Sequence, residues 1–265
     1  MPKGTTKTRF DNIAKEGATV TIEEVNYDDC VRMAAAEAAK TEHGIIVQDT
    51  AWEGYEEIPS WIMQGYGTMV MEADQQLRED GAGRPTHVFV QAGVGSLAGA
   101  VVGYFANKYK DNPPIMAVCE ASAADCLYRS AVKKTGELVN VSGDLNTIMA
   151  GLACGEGNTI GWDILRNHAA VFASCPDWMS AKATRIYANP LEGDPHIVSG
   201  ESGSVPLGLV YTALHDEDAR DLKEALKLDE NSNILVISTE GDTDPVRYRE
   251  IVWDGLYGTD KSLSK

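Results

Sequence analysis

The chain has no long hydrophobic run. No segment approaches the ~18 consecutive apolar residues of a membrane helix, and Met1 to Ile13 is polar, without the apolar centre of a signal peptide. A cytoplasmic protein with no membrane partner is therefore expected. Positive charge is also scarce: 23 Lys and Arg stand against 40 Asp and Glu, a formal charge of −17. Such a chain has no basic stripe to neutralise a nucleic-acid backbone, so small-molecule or protein partners are favoured and nucleic acid is not. The cysteines, Cys30, Cys119, Cys126, Cys154 and Cys175, are an odd set with no two in C-x-x-C spacing. That leaves no metal motif and reads mostly as buried small hydrophobes. None of the five histidines has a triad context, and "GESGS" at 200–204 misses G-x-S-x-G at its fifth position. A serine hydrolase is discounted.

What is present suffices for a substantial core: 265 residues, 43% of them apolar. "TTKTRFDNIAKEGA" predicts a helix, "ATVTIEEV" alternates like a strand, "NYDDCVRMAAAEAAKTEHG" predicts a second helix, and "IIVQD" a short buried strand. A helix is expected from about Ser60 to Leu77, before the polar connection "REDGAGRPT". Beyond it, strands are expected at "HVFVQ", "PPIMAVCEA", "AAVFASC" and "NILVIST". Helices fall at "ADCLYRSAVKK", "PDWMSAKATRIYA" and "DARDLKEALKL", and "DGLYGTDKSLSK" reads as a frayed tail. This alternation implies an α/β protein with parallel strands joined by crossovers. Its first helix has no strand before it, so the opening unit reads as incomplete.

"HVFVQAGVGSLAGAVVGYF", residues 87–105, combines a buried strand, a glycine turn and an apolar helix, the arrangement that points backbone N–H groups at a phosphate. Three readings are open. Gly93, Gly95 and Ala98 satisfy G-x-G-x-x-G/A, and Glu120 ends the next strand where a ribose-binding acid would stand, which would make an NAD(P)-binding oxidoreductase. Alternatively, the amides of Val94, Gly95, Ser96 and Leu97 with the Ser96 hydroxyl form a cup for a smaller cofactor such as pyridoxal phosphate. In the third reading the glycines only let strand and helix approach closely.

"VQAGVGSLAG" resembles the phosphate loop of fold-type II pyridoxal-phosphate enzymes, the threonine dehydratase and tryptophan synthase β superfamily. With "VQDTAWEGYEEIPSWIMQGYGTM", "TIMAGLACGEGNTIGWDIL" and "STEGDTDP", the likeness narrows to the diaminopropionate ammonia-lyase family and runs over essentially all of this chain. The resemblance implies α,β-elimination of 2,3-diaminopropionate to pyruvate and ammonia, with pyridoxal 5'-phosphate as cofactor. It places the cofactor phosphate on Gly93, Val94, Gly95, Ser96 and Leu97. Ser238 or Thr239 matches the hydroxyl beside the pyridine nitrogen, and Glu201 the residue near the cofactor ring. Asp49, with Trp52 and Tyr55 around it, matches the aspartate that faces the substrate as a candidate proton acceptor. Cys154 falls near the site, with Cys126 as a candidate disulfide partner.

The resemblance further implies twisted parallel sheets with flanking helices, a partial small domain over 1–52 and a large domain over 53–265, and a homodimer acting on an amino acid. The family's Schiff-base lysine matches nothing in this chain. The expectation is a chain resembling the C-terminal two-thirds of the family, truncated, inactive alone, and completed by a separate N-terminal fragment or persisting as a non-catalytic binding remnant.

Overall fold

The computed structural model describes residues 1–258. Two helices, α1 (Lys7–Ala14) and α2 (Tyr27–Lys40), lead to the long α3 (Glu57–Glu79). There follow β1 (His87–Gln91), α4 (Ser96–Lys108), β2 (Ile115–Ala121), α5 (Cys126–Lys133), α6 (Thr159–His168), β3 (Val171–Cys175) and α7 (Asp177–Ala188). The chain continues through α8 (Glu201–His215), α9 (Arg220–Leu226), β4 (Ile234–Val236) and α10 (Pro245–Val252). Among the described residues no helix is long and apolar enough to cross a membrane.

The strands form one sheet in the order β3-β2-β1-β4, parallel throughout, with Val88 opposite both Met116 and Leu235 and Ala117 opposite Val171. Alternation along the strands divides the core in two. Val88, Val90, Met116 and Val118 face a layer with Val70 of α3, Val101 and Phe105 of α4, and Trp162 and Leu165 of α6. Phe89, Ala117, Cys119 and Ala173 face the other layer, with Ala181 of α7, Val205 and Leu209 of α8, and Ile251 of α10. Helices on both sides of a parallel sheet are the α/β architecture the alternation predicts.

Two predicted strands do not form. Over 18–25 the chain makes a single bridge, Pro2 to Glu23, because only the first three residues run beside it: Glu23 N–H donates to Met1 O and Lys3 N–H to Val25 O. Among the described residues no strand lies alongside 45–49, and Ile45 and Val47 are 73% and 70% exposed rather than buried. Their backbone is held instead by the Tyr55 hydroxyl, which donates to Ile46 O and accepts from Gln48 N–H.

The helix predicted at Ser60 starts earlier, at Glu57, and buries Pro59, Met63, Val70 and Asp74 along one face. Part of the predicted frayed tail, from 259 on, lies outside the described residues. Just before it, the Arg185 guanidinium donates to the carbonyls of Leu256 and Tyr257, tying them to α7.

Candidate active site

β1 delivers its last residue, Gln91, to a turn that opens α4. Gly95 is the N-cap of α4 with φ +96° and ψ 4°, a conformation that glycine adopts without penalty. Gly93 is a close-approach position: a Cβ there would stand 3.0 Å from Gly151 O and 3.2 Å from Cys154 Sγ. Val94 O accepts from Asn158 N–H at 2.7 Å, and Gly95 O accepts from Gly99 N–H at 2.8 Å. The first amides of α4 have no intrahelical partner and carry the positive end of the helix dipole.

These amides border a cavity of about 310 Å³ whose lining runs from Gln91 through Ala98 and includes Tyr27, Asp49, Tyr66, Cys154, Ser202, Thr239 and Glu240. All five predicted phosphate-loop residues and Asp49 therefore line one space. Tyr66 hydroxyl donates to Asp49 Oδ2 at 3.2 Å; burial, with Asp49 alongside, pushes the phenol up to about 12. Tyr27, at the first turn of α2, is also raised by burial, with Cys154 and Asp49 near it. Trp52 and Tyr55 are not among the residues of this lining: their rings stack on each other at 4.5 Å, and the Tyr55 hydroxyl holds the backbone of 46–48 just before Asp49.

The Ser96 hydroxyl is engaged within the protein. Ser96 Oγ donates to Asp49 O at 2.7 Å and accepts from Asn158 Nδ2 at 2.7 Å, so the predicted hydroxyl contact with a phosphate gives way to a contact with the Asp49 backbone. Of the two candidate hydroxyls after β4, Thr239 lines the cavity and accepts from Gln91 Nε2 at 2.9 Å. Ser238 instead pairs its Oγ with Ser199 Oγ at 2.8 Å. Glu201, the first residue of α8, is buried outside the lining, its Oε1 without a hydrogen-bond partner and its Oε2 3.9 Å from Arg9. Burial pushes this carboxyl up to about 7. Glu240, not singled out from sequence, does line the cavity and accepts from Ser202 N–H at 2.7 Å.

Glu120 does not wait at the strand end for a ribose. It is fully buried, and its two oxygens accept from Leu127 N–H at 2.8 Å and Tyr128 N–H at 2.6 Å, holding the first turn of α5. The dinucleotide reading loses its acid. All five cysteines are free thiols, so the candidate Cys126–Cys154 disulfide is not formed; Cys126 is buried at the start of α5, while Cys154 packs against Gly93.

The cavity fits a phosphorylated aromatic ring: it has a bare backbone cup, a hydroxyl in Thr239, and a buried, partnerless acceptor in Gln91 Oε1. The family model for pyridoxal-phosphate dependent enzymes matches residues 1–240. The chain belongs to this family. It is 50% identical over 258 residues to diaminopropionate ammonia-lyase of Escherichia coli (strain K12), covering 97% of this chain and 64% of that protein. The chain thus spans about two-thirds, 64%, of the length of this curated relative. The crystal structure of the Escherichia coli lyase with an aminoacrylate-PLP azomethine reaction intermediate superposes with a TM-score of 0.90 at 48% identity, over 97% of this chain and 65% of that one. A fungal L-serine ammonia-lyase from Rhizomucor miehei, 22% identical, shares the fold with a TM-score of 0.72 over 97% of this chain and 73% of its own. Family membership and these likenesses make the fold that of a fold-type II pyridoxal-phosphate enzyme.

Proposed function

We propose that this chain carries the phosphate cup and the substrate-facing acid of a pyridoxal-phosphate-dependent ammonia-lyase that converts 2,3-diaminopropionate and water to pyruvate and two ammonia. The observation that carries the reading is the convergence of the cup, Asp49 and Thr239 on one cavity. When bound, pyridoxal phosphate supplies an electron sink for the pair left behind by the α-proton. Gly93, Val94, Gly95, Ser96 and Leu97 hold its phosphate through backbone amides and the N-terminus of α4. The Thr239 hydroxyl, already accepting from Gln91 Nε2, keeps its own proton to donate to an unprotonated ring nitrogen. Ser238 holds the segment after β4 against Ser199, and Glu201, linked through Arg9 to the cavity-lining Glu240, would act on the cofactor only through that pair. Asp49 receives the α-proton, its carboxylate oriented by Tyr66.

Among the described residues no lysine lines the cavity. On this reading the amine that would tether the cofactor is supplied by a separate N-terminal fragment, and the chain alone is expected not to turn over substrate. By the same resemblance, residues 1–52 belong to a small domain and 53–265 to a large one, in a cytoplasmic homodimer. Thermal unfolding with pyridoxal phosphate, NAD or NADP tests the reading. The expected result is stabilisation by pyridoxal phosphate alone, without the absorption band of a lysine-linked cofactor and without pyruvate formation from 2,3-diaminopropionate. Stabilisation by NAD alone would overturn the assignment of the cup, and stabilisation by none would leave a chain that does not bind cofactor.

A further inference from the structure

Asn158 is fully buried and is the N-cap of α6, its Oδ1 accepting from Gly161 N–H at 2.9 Å. An N-cap needs only that acceptor. The amide nitrogen of the same side chain donates to Ser96 Oγ at 2.7 Å and to Asp49 O at 2.6 Å, and lies 3.8 Å from Met63 Sδ. Ser96 Oγ closes the triangle by donating to the same Asp49 carbonyl at 2.7 Å. Asn158 N–H donates to Val94 O at 2.7 Å. Across the trans peptide between 94 and 95, carbonyl and N–H point in opposite directions, so this bond turns the Gly95 amide away from α6. Next along, Thr159 N–H and Oγ1 both donate to Ala51 O at 3.2 Å. The first turn of α6 thus holds the cup on one side and residues 49–51 on the other.

We propose that Asn158 is a positioning residue that ties the phosphate cup to the segment carrying Asp49, fixing the distance between phosphate anchor and proton acceptor. The proposal rests on the reading of the cup and of Asp49 given above. Asn158 is not among the residues that line the cavity; it acts through Ser96, Val94 and the Asp49 backbone. The cost of breaking the tie falls on two loops far apart in sequence at once, which an ordinary helix cap would not produce.

Asn158→Asp separates the two roles, because aspartate keeps the cap acceptor and has no amide to donate. Ser96→Ala removes the two sides of the triangle that run through Ser96 Oγ and leaves the Asn158 cap bond to Gly161 and its bond to Asp49 O in place. Backbone amide hydrogen exchange of the ligand-free chain is the primary measurement, with pyridoxal phosphate affinity by calorimetry beside it. In Asn158→Asp, amides in 46–52 and in 93–97 are expected to exchange about tenfold faster while those of β1 and β2 keep the wild-type rate, and pyridoxal phosphate to bind about tenfold more weakly. Ser96→Ala should loosen 46–52 as well, and the double variant should add little to the larger single effect. Exchange that rises uniformly, or that leaves 46–52 unchanged in Ser96→Ala, would overturn the proposal even if Asn158→Asp failed to fold. A wild-type chain that binds no pyridoxal phosphate would instead overturn the functional reading, with the exchange comparison still deciding the tie.

Discussion

Glu201 sits where a carboxylate is usually welcome, at the first turn of a helix, yet it is 2% exposed and shares one guanidinium with a second acid. Arg9 stands 3.9 Å from Glu201 and 3.5 Å from Glu240, and Glu240 also takes the Ser202 amide and the Thr243 hydroxyl. Burial, reinforced by the Glu240 charge, therefore raises Glu201 from 4.5 to about 7. A raised carboxyl pKa means that the folded state holds the proton more tightly than the unfolded state. This contribution is fully present below pH ~4.5 and is lost as pH rises toward ~7, about 3 kcal/mol at most. Urea unfolding at several pH values should show wild-type stability falling across this window and Glu201→Gln falling less. A residual slope of the same sign is expected from Glu120, which burial pushes up to about 8 against the pull of its two amides. Parallel wild-type and variant profiles would mean that Glu201 does not titrate there. At this scale, the phosphate loop was legible from sequence because its glycines lie within a few residues of each other. Tyr66 and Asn158 were not, since their contacts with Asp49 span 17 and 109 residues and depend on α3 and α6 being in place. Asn158 did carry a local signal, an Asn-Thr pair ahead of an apolar run, which marks a helix start but not what else the cap holds.

Beside its apolar contacts, α3 carries one buried acid that faces α4. Asp74, 1% exposed, accepts from Arg78 on its own helix and from Lys108, Tyr104 (3.1 Å) and Tyr109 (3.3 Å) on and just after α4. This cluster pins the far ends of α3 and α4, while Val70 and Phe105 pack in the same apolar layer. Asp74→Asn leaves the cations facing a neutral amide and is expected to cost about 2–3 kcal/mol, read from the urea midpoint at constant slope. A change of about 0.5 kcal/mol would place the pairs among ordinary surface ion pairs. Elements with a strong local pattern, such as the apolar strands β1 and β2, follow the sequence closely. The central helix α8 does not announce itself: "GESGSVPLG" carries three glycines and Pro206, yet it packs tightly enough that a Cβ at Gly208 would lie 2.4 Å from Met179 O. Tertiary approach overrides propensity there. The reverse holds at "ATVTIEEV" and "IIVQD", where strand-like patterns find no neighbouring strand to pair with.

At the scale of the molecule, a chain of net charge −17 must admit an anion. The lining of the cavity contains two acids, Asp49 and Glu240, and no Lys, Arg or His among its described residues. On the proposed cup, attraction for a phosphate is expected from the amide dipoles, worth about half a unit charge at a helix N-terminus and falling off within a turn. Repulsion comes from acids spread over the whole surface and acts at long range. Salt separates the two, because the screening length shrinks from about 30 Å at 0.01 M to about 8 Å at 0.15 M, while direct amide contacts are screened far less. Stopped-flow binding of pyridoxal phosphate should thus become about threefold faster or more between these potassium chloride concentrations, with a Kd that stays constant or tightens. A phosphate site built on arginine or lysine responds the opposite way, its association slowing as salt screens the attraction. Steady weakening with salt would therefore place a cation against the phosphate, and the backbone amides alone would no longer account for binding.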